Sequence, residues 1–300
     1  MTDLVTIAIP VFNRVTYFFE ALESARNQTL KCRILIVDNA SPDVDFFEVL
    51  KPYLSDTLVF HRNVRNIGMA ANWNKCIELC RTPYILILHD DDKLEVDYVK
   101  RFTESIRTDY ALFWSSTGIM SASGAPIANE WISKPEMFDN PKTWCVKNPC
   151  PAGAIFHRDT ALSLGGFDVR LGYTPDFDLW FRLMLEKGAY YIPTRGAWYR
   201  IYNSSERITS QLERSGLTTI LLRVQIKRNF HRYQQKFGVR PFDSVPLPVH
   251  IPLSVLLHLP RGVRSLIRKY FVAAWLKSKP ITKSGRLIRK LASAVLGRAF

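Results

Sequence analysis

The chain has 300 residues, 47% hydrophobic and 12% aromatic, enough to bury a full core and too apolar for a disordered polymer. Its net charge of +14 is unevenly held: residues 217–300 carry 17 Lys+Arg against one acid, Asp243, while residues 1–216 carry 24 basic and 26 acidic groups. This divides the chain into a slightly acidic front, 1–216, and a strongly basic C-terminal region, 217–300. The five cysteines are odd in number and have no paired close spacings, which argues against a disulfide framework. Cys76 and Cys80 share a helix face and read as core residues, since no second Cys/His pair completes a four-ligand metal set. The N-terminus has no secretory pattern. No uninterrupted apolar run reaches the roughly 18 residues of a membrane span; residues 245–259 are broken by three prolines and two histidines. The cytoplasm is the expected location.

In chain order, residues 5–9 form a continuous apolar run that predicts a buried strand. Tyr17, Phe18, Ala21, Leu22 and Ala25 follow at helical spacing. Residues 33–37, 58–60 and 84–88 predict three further strands, with a helical stripe of Met69, Trp73, Cys76, Ile77 and Cys80 before the last. Residues 111–114 predict another strand. Phe177, Trp180, Phe181, Met184 and Leu185 mark an amphipathic helix over 176–187. Continuously apolar strands alternating with amphipathic helices predict an α/β fold, a mostly parallel sheet flanked by helices. Such sheets bind ligands beyond the C-terminal ends of their strands. Polar groups fall at three of those ends: Asn13 and Arg14 after strand one, Asp38 and Asn39 after strand two, and His89 to Asp92 after strand four.

Three adjacent carboxylates, Asp90, Asp91 and Asp92, repel one another unless a cation or solvent screens them. Hard oxygen ligands of this kind suit Mg²⁺ or Mn²⁺. As an isolated triplet they would read as a solvated turn; their place at a ligand-binding sheet edge favours the metal. Asp38 can accept hydrogen bonds from a base N–H or sugar hydroxyls, or can brace its own turn through Asn39 and Ser41. Asn66, Gly68 and Asn72 open a helix, either as cap and turn or as an anion-facing helix start. Asp176 and Asp178 lie in a helix first turn, where acids suit the dipole. They point in different directions, so one can enter a cleft while the other braces the helix, and a cleft carboxylate can take a proton from an attacking hydroxyl.

The ordered set 9-IPVFNR-14, 37-VDNAS-41, 66-NIG-68 with Asn72, 88-LHDDD-92, 165-GGFD-168 and 176-DFDLW-180 resembles family 2 glycosyltransferases of the GT-A fold over residues 4–205. The resemblance implies an inverting transfer from a nucleotide-sugar donor. Pro10, Val11, Asn13, Arg14 and Asp38 would border the nucleotide, with Asn66, Gly68 and Asn72 beside it. Asp91 would be the principal metal contact of a DxD-like motif, with Asp90 and Asp92 reaching the ribose or completing the shell. His89 stands where many members carry the first Asp; it is expected to touch the ligand rather than ligate the metal. Asp176 would be the catalytic base in the family's ED-x-DL pattern, although Pro175 replaces the usual first acid, and Asp168 is the alternative. Arg200 and Arg207 would contact the diphosphate. The Gln-x-x-Arg-Trp signature of processive synthases is absent, which favours transfer of a single sugar.

In the basic region, Val263, Leu266, Ile267, Tyr270, Phe271 and Trp275 share one helix face, with Arg261, Arg264 and Arg268 opposite; a similar pattern follows Pro280. Such helices suit an anionic membrane surface, or they pack on the front domain with their basic face in water. No nucleic-acid motif accompanies the charge, so nucleic acid is not an expected partner. The combined expectation is a peripheral enzyme at the inner face of the cell membrane, acting on a lipid-linked glycan in bacterial surface polysaccharide synthesis. The sequence is silent on oligomeric state. A non-catalytic transferase-like fold that binds membrane or nucleic acid is the rival reading; a sugar-phosphate nucleotidyltransferase lacks its Gly-rich, Lys-bearing loop here.

Overall fold

The computed structural model describes residues 2–128, 141–147, 152–171, 174–202 and 218–238. Two compact units are formed, one by Met1–Ser204 with Val224–Asp243 and the other by Ser205–Arg223 with Ser244–Phe300. The tail helices expected beyond residue 260, Arg207 and Cys150 lie outside the described residues.

The first unit is built on one mixed sheet. Strands β1 (Val5–Val11), β2 (Arg33–Asp38), β3 (Leu58–Arg62) and β4 (Tyr84–Ile87) lie parallel in the order β3-β2-β1-β4. These match the first four apolar runs of the sequence; the fifth, 111–114, falls in the later part of the sheet. Their side chains alternate between two cores, as a period of two requires. Ala8, Leu35, Val37, Ile85 and Ile87 face one layer with Trp73, Cys76 and Cys80 of α3 (Met69–Leu79). Ile7, Ile9, Ile34, Ile36 and Leu86 face the other, with Phe18, Ala21, Leu22 and Ala25 of α1 (Phe18–Arg26). Short α2 (Phe46–Leu50) leads toward β3, capped by Asp45, whose side chain accepts from the amides of Phe47 and Glu48.

Beyond β4 the sheet turns mixed, which the apolar runs do not announce. After β5 (Lys93–Leu94) and α4 (Tyr98–Ser105) come β6 (Leu112–Met120), β7 (Pro126–Ala128), α5 (Pro141–Lys147), β8 (Ile155–His157), α6 (Arg158–Ser163), α7 (Pro175–Lys187) and β9 (Ala189–Arg200). Strand β8 inserts antiparallel between β4 and β6, and β9 runs parallel to β6. Strand β5 pairs antiparallel with the end of β9, Lys93 opposite Trp198 and Leu94 opposite Ala197. That pairing positions the site, because it brings the residues after Trp198 alongside the acidic turn that precedes β5. Gly118 of β6 permits it: a Cβ there would lie 2.4 Å from the Trp198 ring.

The last helix among the described residues, α8 (Thr218–Phe237), opens the basic region. Its buried stripe Gln225, Asn229 and Tyr233 has i, i+4 spacing. Arg232 Nη1 lies 2.6 Å from Asp178 of α7, and Arg228 Nη2 lies 3.1 Å from Asp168. These two arginines are held by carboxylates of the front domain rather than by solvent. No helix among the described residues is long and apolar enough to cross a membrane.

Candidate active site

The strand ends meet at one edge because β1 sits between β2 and β4 in register, Val11 opposite Asp38 and Ala8 opposite Ile87. The backbone is tightest there: Asn13 and Ala40 hold φ of 57° and 60°, the two left-handed non-glycine residues among those described. For alanine this is strained, and strain of this kind collects at functional sites.

Asp38 is fully buried. Its Oδ1 accepts from the Ser41 amide at 3.0 Å and the Ser41 hydroxyl at 2.6 Å, while Arg62 Nε lies 3.4 Å from Oδ2. Among the described residues Oδ2 is buried and accepts no hydrogen bond, so its contact is the ion pair with Arg62. Asp38 thus braces its own turn through Ser41, one of the two alternatives left open by the sequence. Asn13 is tied to the same turn through its amide, which donates to Ser41 Oγ at 2.8 Å. Pro10 and Val11 are buried in β1, so only their backbone edges the cleft.

Asn66, Gly68 and Asn72 form one asparagine network. Asn72 Nδ2 donates to the Val37 carbonyl at 3.2 Å, and its Oδ1 accepts from Asn63 Nδ2 at 2.8 Å. Asn66 Oδ1 accepts from the Gly68 amide and from Asn39 Nδ2, both at 2.9 Å. Gly68 turns into α3 with φ 88°. These side chains shape the loop behind Asp38, and Asn63 is a member that sequence reading missed.

The acidic turn follows β4 directly. The Asp92 amide donates to the His89 carbonyl at 3.2 Å, closing the turn, and all three aspartates are buried. Burial pushes the Asp90 carboxyl up to about 6, against the downward pull of Arg14. Arg14 Nε donates to Asp90 Oδ2 at 3.2 Å, and its Nη2 also bonds Asp90 Oδ1. His89 stacks on Trp73 at 5.1 Å and 18°. Burial holds its imidazole below the ordinary value, although the charges of Asp91 and Asp176 act the other way. The Asp176 charge thus acts on His89 across 87 residues of sequence.

Ligand atoms from His89, Asp91 and Asp92, one each, lie within 4.8 Å of one another, near enough for one divalent ion to bridge. The sequence reading set His89 aside as a ligand; the geometry groups its ring with the carboxylates. A mixed imidazole–carboxylate set fits Mn²⁺ better than Mg²⁺, which prefers oxygen alone.

Arg200 does not face an open cleft. It is fully buried. Its Nε donates to the Asp91 carbonyl at 2.9 Å, Nη1 to the Ala122 carbonyl at 2.9 Å, and Nη2 to Glu20 Oε2 at 2.9 Å. Its amide donates to Asp92 Oδ1 at 3.0 Å, and its guanidinium lies 4.3 Å over the Tyr17 ring. The diphosphate contact expected of Arg200 gives way, in this geometry, to a brace beneath the acidic turn. Two residues on, the Tyr202 hydroxyl donates to Asp91 Oδ2 at 2.8 Å and accepts from Arg14 Nη1 at 2.6 Å. Sequence reading gave Tyr202 no role; its spacing from Arg200 was the available signal.

The two acids of α7 divide their work. Pro175 fits the first turn of a helix, where no amide bond is lost. Asp176 is half-buried and accepts from the Phe177 amide at 2.8 Å. Asp178 is fully buried, with Arg182 Nε 2.8 Å from Oδ2 and Arg232 Nη1 2.6 Å from Oδ1. Burial alone would raise the Asp178 carboxyl, but Arg232 and Arg182 outweigh it and hold it below the usual range. Asp168 is held down in the same way: burial pushes it up, and Arg170 and Arg228 outweigh that push. Asp168 Oδ1 lies 2.8 Å from Arg170 Nε, an ion pair that disfavours protonation of this carboxylate. The segment before α7 is pinned to α3 through Asn74, whose side chain pairs with the Phe167 amide at 2.7 Å and carbonyl at 2.9 Å. Gly166 leaves room for it; a Cβ there would lie 2.3 Å from Asn74 Oδ1.

A stability prediction follows from Asp178. Asp178→Asn is expected to cost about 3 kcal/mol at neutral pH, because it leaves two half-buried arginines, Arg182 and Arg232, without their fully buried charge partner. A carboxylate held low stabilises the fold above its unfolded value of 3.8 and loses that contribution as pH falls through the lower folded value. Urea unfolding at pH 7 and pH 3 should therefore show a large difference between wild type and variant at pH 7 and a smaller one at pH 3.

The site and the sheet together define a mixed α/β fold with an acidic turn at the edge where its parallel strands end. A model of the family described as "Glycosyl transferase family 2" matches residues 6–161. The chain belongs to that family. It is 32% identical over 127 residues to "Putative glycosyltransferase EpsH" of Bacillus subtilis, covering 39% of this chain and 36% of that protein. It is 34% identical over 110 residues to "Chondroitin synthase" of Escherichia coli, covering 36% of this chain and 16% of that one. The matches thus span about a third and a sixth of those relatives. In fold, the chain is similar to S. aureus TarS 1-349 solved in complex with UDP-GlcNAc, with TM-score 0.58 and 12% identity over 99% of this chain and 93% of that one. The likeness agrees with the GT-A-type architecture.

Proposed function

We propose that the protein is an inverting glycosyltransferase that moves one sugar from a nucleoside-diphosphate-sugar donor to an acceptor hydroxyl. The observation that carries this reading is convergence: Asp38, the acidic turn and Asp176 come from three parts of the chain to one sheet edge. Asp38 Oδ2 awaits a donor such as a base N–H. His89, Asp91 and Asp92 would hold Mn²⁺ in preference to Mg²⁺. When bound, such an ion acts as a Lewis acid and neutralises the departing diphosphate. Arg200 and Glu20 keep the turn in place from below. Asp176, whose charge reaches His89, takes the proton of the acceptor hydroxyl as that oxygen attacks the anomeric carbon from the face opposite the nucleotide. Asp168, neutralised by Arg170 and Arg228, serves as structure.

Residues 1–216, with α8 packed on them, form the catalytic part in this reading, and the basic tail beyond carries the protein to anionic membrane, where a lipid-linked glycan is the acceptor. The relative named for chondroitin synthesis supports a glycan acceptor in general terms. Charge density supports the membrane: each basic residue near an anionic surface adds about 1 kcal/mol at most, so the several basic residues of 261–300 act together. The full chain should sediment with anionic vesicles, and a chain lacking 261–300 should not; equal sedimentation of both would overturn the membrane part.

The catalytic part is tested by incubating the protein with a panel of nucleotide sugars and Mn²⁺ and measuring released nucleoside diphosphate. Turnover of one donor, lost on adding EDTA, is expected. Neither binding nor turnover of any donor would leave the rival non-catalytic reading.

A further inference from the structure

We infer that Arg14 is the resting counter-cation of the acidic turn and competes with the divalent ion for it, so that metal entry and Arg14 release are a single event. The inference rests on the proposed metal site and goes beyond it. The guanidinium covers Asp90 with two hydrogen bonds. Its Nη1 stands 3.2 Å from Asp91 Oδ2, the same oxygen to which the Tyr202 hydroxyl donates at 2.8 Å. Tyr202 closes the ring by accepting from Arg14 Nη1 at 2.6 Å. The Arg14 side chain is 18% exposed and those of Asp90 and Asp91 8% and 12%, so these charges are weakly screened.

Asp91 is shared between two constellations. It belongs to the His89, Asp91 and Asp92 group whose ligand atoms lie within 4.8 Å of one another, and it belongs to the Arg14–Tyr202 ring. An ion held by the first group brings two positive charges beside the guanidinium of the second. Repulsion at that distance in a poorly screened site favours one occupant over both. Arg14, following β1 at the donor edge, then has its planar fork available for the diphosphate, the geometry in which arginine binds phosphate best. A permanent brace, the alternative role, would help the ion by holding the carboxylates in place.

The test is Mn²⁺ binding to the full chain without nucleotide, read from the electron paramagnetic resonance signal of free Mn²⁺. Arg14→Gln is expected to bind Mn²⁺ at least about tenfold more tightly than wild type, and Arg14→Lys to stay near wild type because the charge remains. Tyr202→Phe, which removes the hydroxyl from Asp91 but keeps the ring, should tighten binding by a smaller factor. Arg14→Gln binding no tighter than wild type would overturn the inference while leaving the metal site intact. If Arg14→Gln fails to fold by circular dichroism, Tyr202→Phe decides: unchanged or weaker binding overturns it. If wild type and all variants bind no Mn²⁺, the metal part of the proposed function falls and this inference with it.

Discussion

Asp176→Asn is expected to lower sugar transfer by about 10²–10⁴-fold while leaving donor binding close to wild type. The substitution keeps size and the hydrogen bond from the Phe177 amide and removes only the ability to take a proton. It should therefore act on kcat rather than on KM for the donor. The matched variant Asp168→Asn should behave differently, because that carboxylate is ion-paired to Arg170 and Arg228; it is expected to lower stability more than transfer. Steady-state kinetics with thermal unfolding on both variants separates the roles. If Asp168→Asn loses transfer and Asp176→Asn does not, the base assignment is reversed.

The second large effect is at Asp91. Asp91→Ala removes a carboxylate that faces the proposed ion, Tyr202 and Arg14 at once. A Lewis acid at a departing diphosphate contributes several kcal/mol, so transfer is expected to fall by about 10³-fold or more. Unlike the loss at Asp176, this loss should extend to donor binding. Added Mn²⁺ should not restore it. The fold should survive, because the turn keeps its His89–Asp92 backbone bond and the Arg200 brace on the Asp91 carbonyl, neither of which uses the Asp91 side chain.

The parallel half of the sheet was legible because β1, β2 and β4 are buried on both faces and so read as continuous apolar runs; β3, at the edge, buries Leu58 and exposes Val59. Strand β9 was not legible. Its twelve residues include Pro193, two glycine-free aromatic pairs and two arginines, with mixed burial, and its pairing with β6 shifts register between Ser115 and Thr117. Nothing local marks such a strand. The same reason hides the brace and the ring: Arg200 meets Asp92 across 108 residues, and Tyr202 meets Arg14 across 188. Residue type and strand end pointed to Asp38 and the aspartate triplet, while Asp176 came from its place in a helix first turn and from the family resemblance. What each one touches was a matter of tertiary contact. The turn residues Asn66 and Asn72 show the converse, since side chains picked out for a ligand are engaged in holding a loop.

The acidic turn is the centre of the account, and calorimetric titration of UDP, and then of other nucleoside diphosphates, into the full chain with and without Mn²⁺ tests it most directly. At least one nucleotide is expected to bind, more tightly with Mn²⁺ in wild type and indifferently to Mn²⁺ in Asp91→Ala. Binding of equal strength with and without Mn²⁺ in both proteins would contradict it.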